Sequence, residues 1–264
     1  MKIETLVAAV DQHDHSLAAK MNLRTDALIG NQCGRNSTET FELNGCRITY
    51  LNTAERGVGK NRNLLLDSSE ADICILADDY MKLVDDCPRI AARAFEECPD
   101  ADVLVFNLIE KRPVRYINKK ITRVRRGNYA RYGAARIALK RNAVMAAGIR
   151  FSLLFGGGAM YGSGEDTLFL QDCLSHGLKI YAVPYALAEI DQSAESTWFK
   201  GYDRKFFTDK GALYAALHPV LWRLYALRFL VRYRHKFGKS VRLGEAFGYM
   251  TEGGREYAGT VGKK

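Results

Sequence analysis

Short, uninterrupted apolar runs alternate along this chain with stretches of helical period, and that alternation leaves few folds open to it. Residues 5–10, 27–30, 48–52 ("ITYLN"), 73–77, 102–109 ("DVLVFNLI") and 178–184 ("LKIYAVP") each read as a strand. Between them, Asp14 stands where an N-cap would, ahead of Leu17, Ala18 and Met21, and residues 61–69 read as a second helix. Asp85 and Pro88 open a third, with Ile90, Ala91, Ala94 and Phe95 on one face until Pro99. Residues 140–147 form a fourth that closes at Gly148, and Phe169, Leu170, Cys173 and Leu174 share the face of a fifth that Gly177 ends. Strands apolar on both sides, joined through helices, imply an α/β chain with a mainly parallel sheet covered on both faces. Ligands of such sheets gather at the C-terminal ends of the strands.

Two stretches break the pattern. Residues 31–47 carry loop and turn types, and after residue 110 a basic, turn-rich run is expected to leave the sheet. The tail, residues 251–264, is expected to be flexible. One large domain is expected, and 39 Lys and Arg against 30 Asp and Glu give +9, an excess suited to phosphate-bearing ligands, anionic lipid or nucleic acid without choosing among them. Six scattered cysteines with no CxxC pair, and an N-terminus without a signal-peptide pattern, point to a reduced, cytoplasmic protein. His13 and His15 lack any zinc-ligand spacing and read as a solvated loop.

Against this background the strand end "ILADDY" stands out, because Asp78 and Asp79 place two negative charges side by side. Upstream, "AERGVGKNRNLLL" sets a glycine-bearing turn and the Lys60/Arg62 pair at a helix entry; it is not a P-loop, whose GxxxxGK[ST] spacing is absent. Downstream, "SGEDTLFL" places Glu165 and Asp166 in the first turn of a helix. Each has a plain structural reading: a capped turn for the aspartates, a surface helix charge for Arg62, and an S-x-x-D capping box from Ser163 to Asp166.

Together and in this order, over roughly residues 4–190, the three motifs resemble family 2 of the glycosyltransferases, inverting nucleotide-sugar enzymes with the GT-A fold, and bacterial members that build surface polysaccharide above all. The resemblance implies a GT-A catalytic domain over about residues 1–210, with a nucleotide-binding half to about 110 and an acceptor-side half beyond. It implies a nucleotide-diphosphate sugar donor, a glycan or lipid-linked acceptor, and a divalent cation, Mn²⁺ or Mg²⁺. The cation's charge would let the neighbouring carboxylates coexist. By the family pattern Asp79 would ligate it, Asp78 would meet the ribose or the metal's surroundings, and Gln32 and Arg62 would contact the nucleotide. Asp166 would be the general base and Glu165 would support acceptor placement. Tyr80 stands where many relatives carry a third acidic residue.

A helical extension is expected at 211–250. Within it Trp222, Ala226, Phe229, Tyr233 and Phe237 form one stripe, either packed on the catalytic domain or resting on the anionic inner face of the cell membrane. Arg223, Arg228 and Pro219 argue against a membrane crossing. Two rival readings remain at this point: a non-catalytic nucleic-acid module using the Arg, Lys and Tyr of residues 118–141, and a nucleotidyltransferase on a related fold.

Overall fold

The computed structural model describes residues 1–192, 199, 201–238 and 240–262. In chain order the elements are β1 (Ile3–Val10), α1 (Ser16–Lys20), β2 (Asp26–Gln32), β3 (Ser37–Leu43), β4 (Cys46–Thr53), α2 (Val58–Ser68), β5 (Ile73–Asp78), β6 (Met81–Leu83) and α3 (Cys87–Glu97). There follow β7 (Val103–Ile109), β8 (Thr122–Arg123), β9 (Ile137–Lys140), α4 (Arg141–Ala146), α5 (Glu165–Ser175) and β10 (Ile180–Ile190). Three helices complete the chain: α6 (Arg204–Leu217), α7 (Trp222–Phe237) and α8 (Leu243–Val261).

One sheet runs in the order β3-β4-β2-β1-β5-β9-β7-β10-β6, with β8 on β10. The pairings β4/β2, β2/β1, β1/β5 and β7/β10 are parallel, whereas β9 enters antiparallel between β5 and β7. Strand β5 shows why its sequence has no polar face. Ile73, Ile75 and Ala77 belong to the core under α1 and α3, while Cys74 and Leu76 belong to the opposite core under α2 and α5. Successive side chains point to opposite faces, so a sheet covered twice demands apolar residues at every position.

The expected strands and helices are present, and three expectations change. Residues 37–43 are strand rather than loop: β3 is an edge strand that exposes every second residue, and it turns into β4 through Asn44-Gly45, at φ 53° and 74°. Asn-Gly at positive φ is a hairpin signal, masked here because an exposed edge strand needs no apolar run. Residues 251–261 are helix rather than flexible tail, since Gly253 and Gly254 of α8 lie against the Thr208 backbone and the Trp222 ring. The last two residues lie outside the described ones. The extension itself begins at Arg204, as α6, and α6 and α8 pack against each other closely through Gly211 and Gly253.

The stripe of α7 is core. Trp222, Ala226 and Phe237 are buried, and Phe229 and Tyr233 pack half-buried against the same cluster, with Phe207, Leu230, Ala246 and Met250. Among the described residues no helix is long and apolar enough to cross a membrane. The basic run after residue 110 is no separate module. Two of its tyrosines, Tyr129 and Tyr132, are 5 % and 3 % exposed and belong to the core under α2 and α5.

Candidate functional site

The site lies at the C-terminal edge of the sheet, where β5 ends in Asp78 and Asp79. A buried guanidinium organises it. Arg62 enters the interior from the first turns of α2, which Gly57 begins at φ 123°, a backbone conformation that suits glycine. Arg62 Nη2 donates to Asp78 Oδ1 at 2.8 Å and Nη1 donates to Glu165 Oε1 at 2.9 Å. One side chain thus ties the strand-end acids to the helix-start acids, from parts of the sequence 103 residues apart. Burial opposes the Arg62 charge, yet Asp78, Glu165 and Asp166 together hold its pKa above the ordinary arginine value. Its hydrogen bonds to protein join the two halves of the site.

Asp78 has both oxygens engaged, because Tyr80 Oη donates to its Oδ2 at 2.9 Å. Tyr80 supplies no hard ligand; it holds Asp78 in place. Asp79 is the less committed of the pair: its Oδ2 accepts from the Val10 amide at 3.3 Å, and burial together with the Asp78 charge raises its pKa. Among the described residues no group of three His, Cys, Asp or Glu could cage a metal. A single hard carboxylate, half-buried and short of positive partners, does fit a Mg²⁺ or Mn²⁺ ion whose other ligands are water and phosphate oxygens.

Asp166 is not a helix cap. The N-cap of α5 is Gly164, in the left-handed region at φ 115°, with no side-chain capping bond; Leu213 packs where its Cβ would be. The S-x-x-D capping box is absent because Ser163 falls one residue too early. Asp166 Oδ1 instead accepts from its neighbour Thr167, from the amide at 2.6 Å and from Oγ1 at 3.2 Å. Oδ2 takes no hydrogen bond among the described residues, and a Cβ on Gly133 would sit 3.3 Å from it. Burial first, and the Glu165 charge second, push the Asp166 carboxyl up to about 6. A carboxylate of that basicity with one open oxygen can accept a proton near neutral pH.

Gln32 lies at the same edge, but its Oε1 accepts the Gly57 amide at 2.7 Å and so shapes the entry of α2. Beside it, Asn31 and Asn52 join by Nδ2 to Oδ1 at 2.8 Å, and with Gln12, His15 and Tyr50 they line a small cleft over β1, β2 and β4. Of the glycines 156–158, Gly156 packs on Val58 and Glu165 at φ 106°, so a close approach as well as a turn requires it.

Two side chains at this site had no signal in the sequence. Lys210 of α6 stands near enough to Asp166 and Asp209 for both charges to favour its ammonium, while burial lowers its pKa. Arg136 sits between the ends of β5 and β7, with Nε donating to Phe106 O at 2.6 Å and Nη2 to Asn107 Oδ1 at 3.1 Å. Its Nη1 has no partner among the described residues, and burial lowers its pKa to about 10. Both are ordinary basic residues in irregular or amphipathic stretches, and only the tertiary fold carries them inward.

No family model and no curated protein matches the sequence. Among solved structures the chain is similar to S. aureus TarS residues 1–349 in complex with UDP-GlcNAc, at TM-score 0.63 and 16 % identity over 93 % of this chain and 77 % of that one. The same TarS fragment on its own gives TM-score 0.62 and 15 % identity over 99 % and 83 %. Against the longer TarS chain the match spans 93 % of this chain but 46 % of the other, at TM-score 0.61. With its mainly parallel sheet, the antiparallel β9 and helices on both faces, this chain has the GT-A fold.

Proposed function

We propose that the protein transfers a sugar from a nucleoside-diphosphate donor to an acceptor hydroxyl with inversion at the anomeric carbon, in the synthesis of a bacterial surface glycan. The observation that carries this reading is the Arg62 bridge, which brings the strand-end pair Asp78/Asp79 and the helix-start pair Glu165/Asp166 into one buried site. The acceptor oxygen attacks the anomeric carbon as its bond to the diphosphate oxygen breaks, and the leaving diphosphate takes the bonding electrons. The acceptor's proton passes to Asp166 Oδ2, which has no competing donor among the described residues. Glu165 is held by Arg62 and keeps a negative charge beside Asp166, which raises the basicity of the acceptor's proton sink.

In the cleft of Asn31, Asn52 and Gln12 the two asparagine amides are held by each other, by the Gln12 backbone and by Ser37 and Glu39, which leaves the Gln12 side-chain carbonyl to meet a base edge, with Gln32 supporting the cleft through Gly57. A bound Mg²⁺ or Mn²⁺ would stabilise the departing diphosphate as a Lewis acid. Asp79 would hold it, and Arg62 and Tyr80 keep Asp78 from competing. Because TarS was crystallised with UDP-GlcNAc, uridine diphosphate sugars come first among the donors to test.

The test is saturation-transfer NMR of the whole chain against a panel of UDP and GDP sugars, with and without Mn²⁺, followed by calorimetry of Asp79→Ala. Binding of one nucleotide sugar, strengthened by Mn²⁺ in the wild type and not in the variant, is expected. No binding across the panel would overturn the reading, and an unchanged metal effect in Asp79→Ala would remove the ligand role.

A further inference from the structure

Helix α7 has a second apolar stripe, opposite the one that packs on α6 and α8. Val220, in the turn before the helix, precedes Leu224, Leu227 and Val231, which follow one another at spacings of three and four within it, so at 100° per residue those three share one side of the helix axis. The four are 87 %, 63 %, 49 % and 65 % exposed, although each is a residue type that folding usually covers. On the same projection Arg223 and Arg234 border the stripe on one side, and Arg228 and Arg232 border it on the other; all four are exposed. The sequence from Val220 to Gly238 contains no Asp or Glu. None of the four arginines pairs with a carboxylate among the described residues; Arg223 and Arg232 lie instead over the rings of Trp222 and Tyr233.

We propose that α7 is an interfacial helix that seats this protein on an anionic lipid surface, with Leu224, Leu227 and Val231 entering the acyl boundary and the flanking arginines meeting the headgroups. An apolar strip of this width between cationic borders is the pattern of a helix lying in the plane of a membrane. It cannot span one, since none of the described helices is long and apolar enough. Charge selects lipid over a second copy of the chain. A two-fold interface sets the same surface against itself, and here that would oppose two borders of unpaired arginines.

The inner face of α7 gives this seat a consequence. Phe229 stacks on Lys210 of α6, whose ammonium is 5.9 Å from that ring, and Lys210 also lies within electrostatic reach of Asp166. One helix therefore separates the proposed lipid contact from the candidate base, so a substrate held at the same surface stands close to the site. The lipid contact itself does not depend on the glycosyltransferase reading.

The experiment is flotation of the full chain with vesicles of phosphatidylcholine containing phosphatidylglycerol, and with phosphatidylcholine alone, at low and high salt. Light scattering on a sizing column measures mass in parallel. Leu224→Ser/Leu227→Ser and Arg228→Glu/Arg232→Glu are compared with the wild type; all four positions are exposed, so melting temperature and uridine nucleotide binding should stay at wild-type level. Flotation of the wild type with the anionic vesicles is expected, falling about tenfold in high salt or on neutral vesicles. Both double variants should fail to float. A wild type that ignores anionic vesicles, or a Leu224→Ser/Leu227→Ser variant that floats as well as the wild type, overturns the proposal. A wild-type dimer that the same variant converts to monomer, without vesicle binding, assigns the face to a second copy. Loss of nucleotide binding in every protein, with flotation intact, would strike the transfer reading and leave this one standing.

Discussion

At the scale of single residues the site is built on charges that neutralise one another unevenly. Arg62 satisfies Asp78 and Glu165, which leaves Asp166 with a raised pKa and one open oxygen. Asp166→Asn should therefore keep donor binding and lower transfer by about 10² to 10⁴, read from single-turnover assays and calorimetry. In the wild type the transfer rate should climb about tenfold per pH unit and level off above about pH 6, where the carboxyl becomes a base. The same shift has a stability consequence of opposite direction. Because the folded pKa lies above the ordinary 3.8, the folded state binds the proton more tightly. The stability this confers is full below pH 3.8 and is lost as pH rises through about 6. Asp166→Asn should then be more stable than wild type at pH 7.5, by on the order of 3 kcal/mol, with the difference largely gone near pH 4. Equal melting curves at both pH values would count against a destabilised base. Arg62→Ala should do the reverse, costing about 3 to 5 kcal/mol in chemical denaturation by leaving two buried carboxylates unpaired.

At the scale of elements, glycine decides how closely the C-terminal helices approach. A Cβ on Gly253 would stand 1.9 Å from the Thr208 carbonyl oxygen, and one on Gly211 would stand 2.0 Å from that of Met250. The two helices meet backbone to backbone at these points, so neither position can accept a side chain without moving α8 away from α6. Gly253→Ala should destabilise the protein by about 1 to 3 kcal/mol, as overpacking does. Gly259 belongs to the same helix but is exposed with nothing within 4 Å of its virtual Cβ, and Gly259→Ala should stabilise by up to about 1 kcal/mol through helix propensity. Urea titration of the pair separates packing from propensity; shifts of the same sign would refute the close-approach account. Composition suggested a flexible tail here because glycines at residues 253, 254, 259 and 262 weaken any helical reading from sequence, whereas in the fold two of them are the contact surface.

At the scale of the whole molecule, the helical bundle holds part of the site. Asp209 of α6 accepts the Gly162 amide at 2.9 Å, and Lys205 Nζ donates to Met160 O at 2.7 Å, so α6 fixes the loop that delivers Glu165 and Asp166. Asp209→Ala should speed hydrogen exchange at Gly162 and lower kcat, while donor affinity stays within a few-fold, since the proposed donor side rests on β1, β5 and α2. A variant whose donor affinity collapses while kcat holds would contradict that division. The alternation of covered strands and helices was legible in the sequence because a doubly covered sheet permits no polar face, and the three acidic and basic motifs were legible because charges at strand ends and helix starts are seldom needed for packing. What those charges do to one another was not legible: the sequence reads Arg62 and Gln32 as nucleotide contacts, and only the fold shows Arg62 buried 2.8 Å from Asp78 and Gln32 accepting from the Gly57 amide. The role of the aromatic stripe of α7 was equally undetermined, since Trp, Phe and Tyr suit a core as well as a lipid surface and only the positions of α6 and α8 decide which it meets. Periodicity and charge, which act within a few residues, determined most of the elements from the sequence alone; which side chains met, and so which carboxylate was left with an open oxygen, depended on contacts between distant segments that only the tertiary structure supplies.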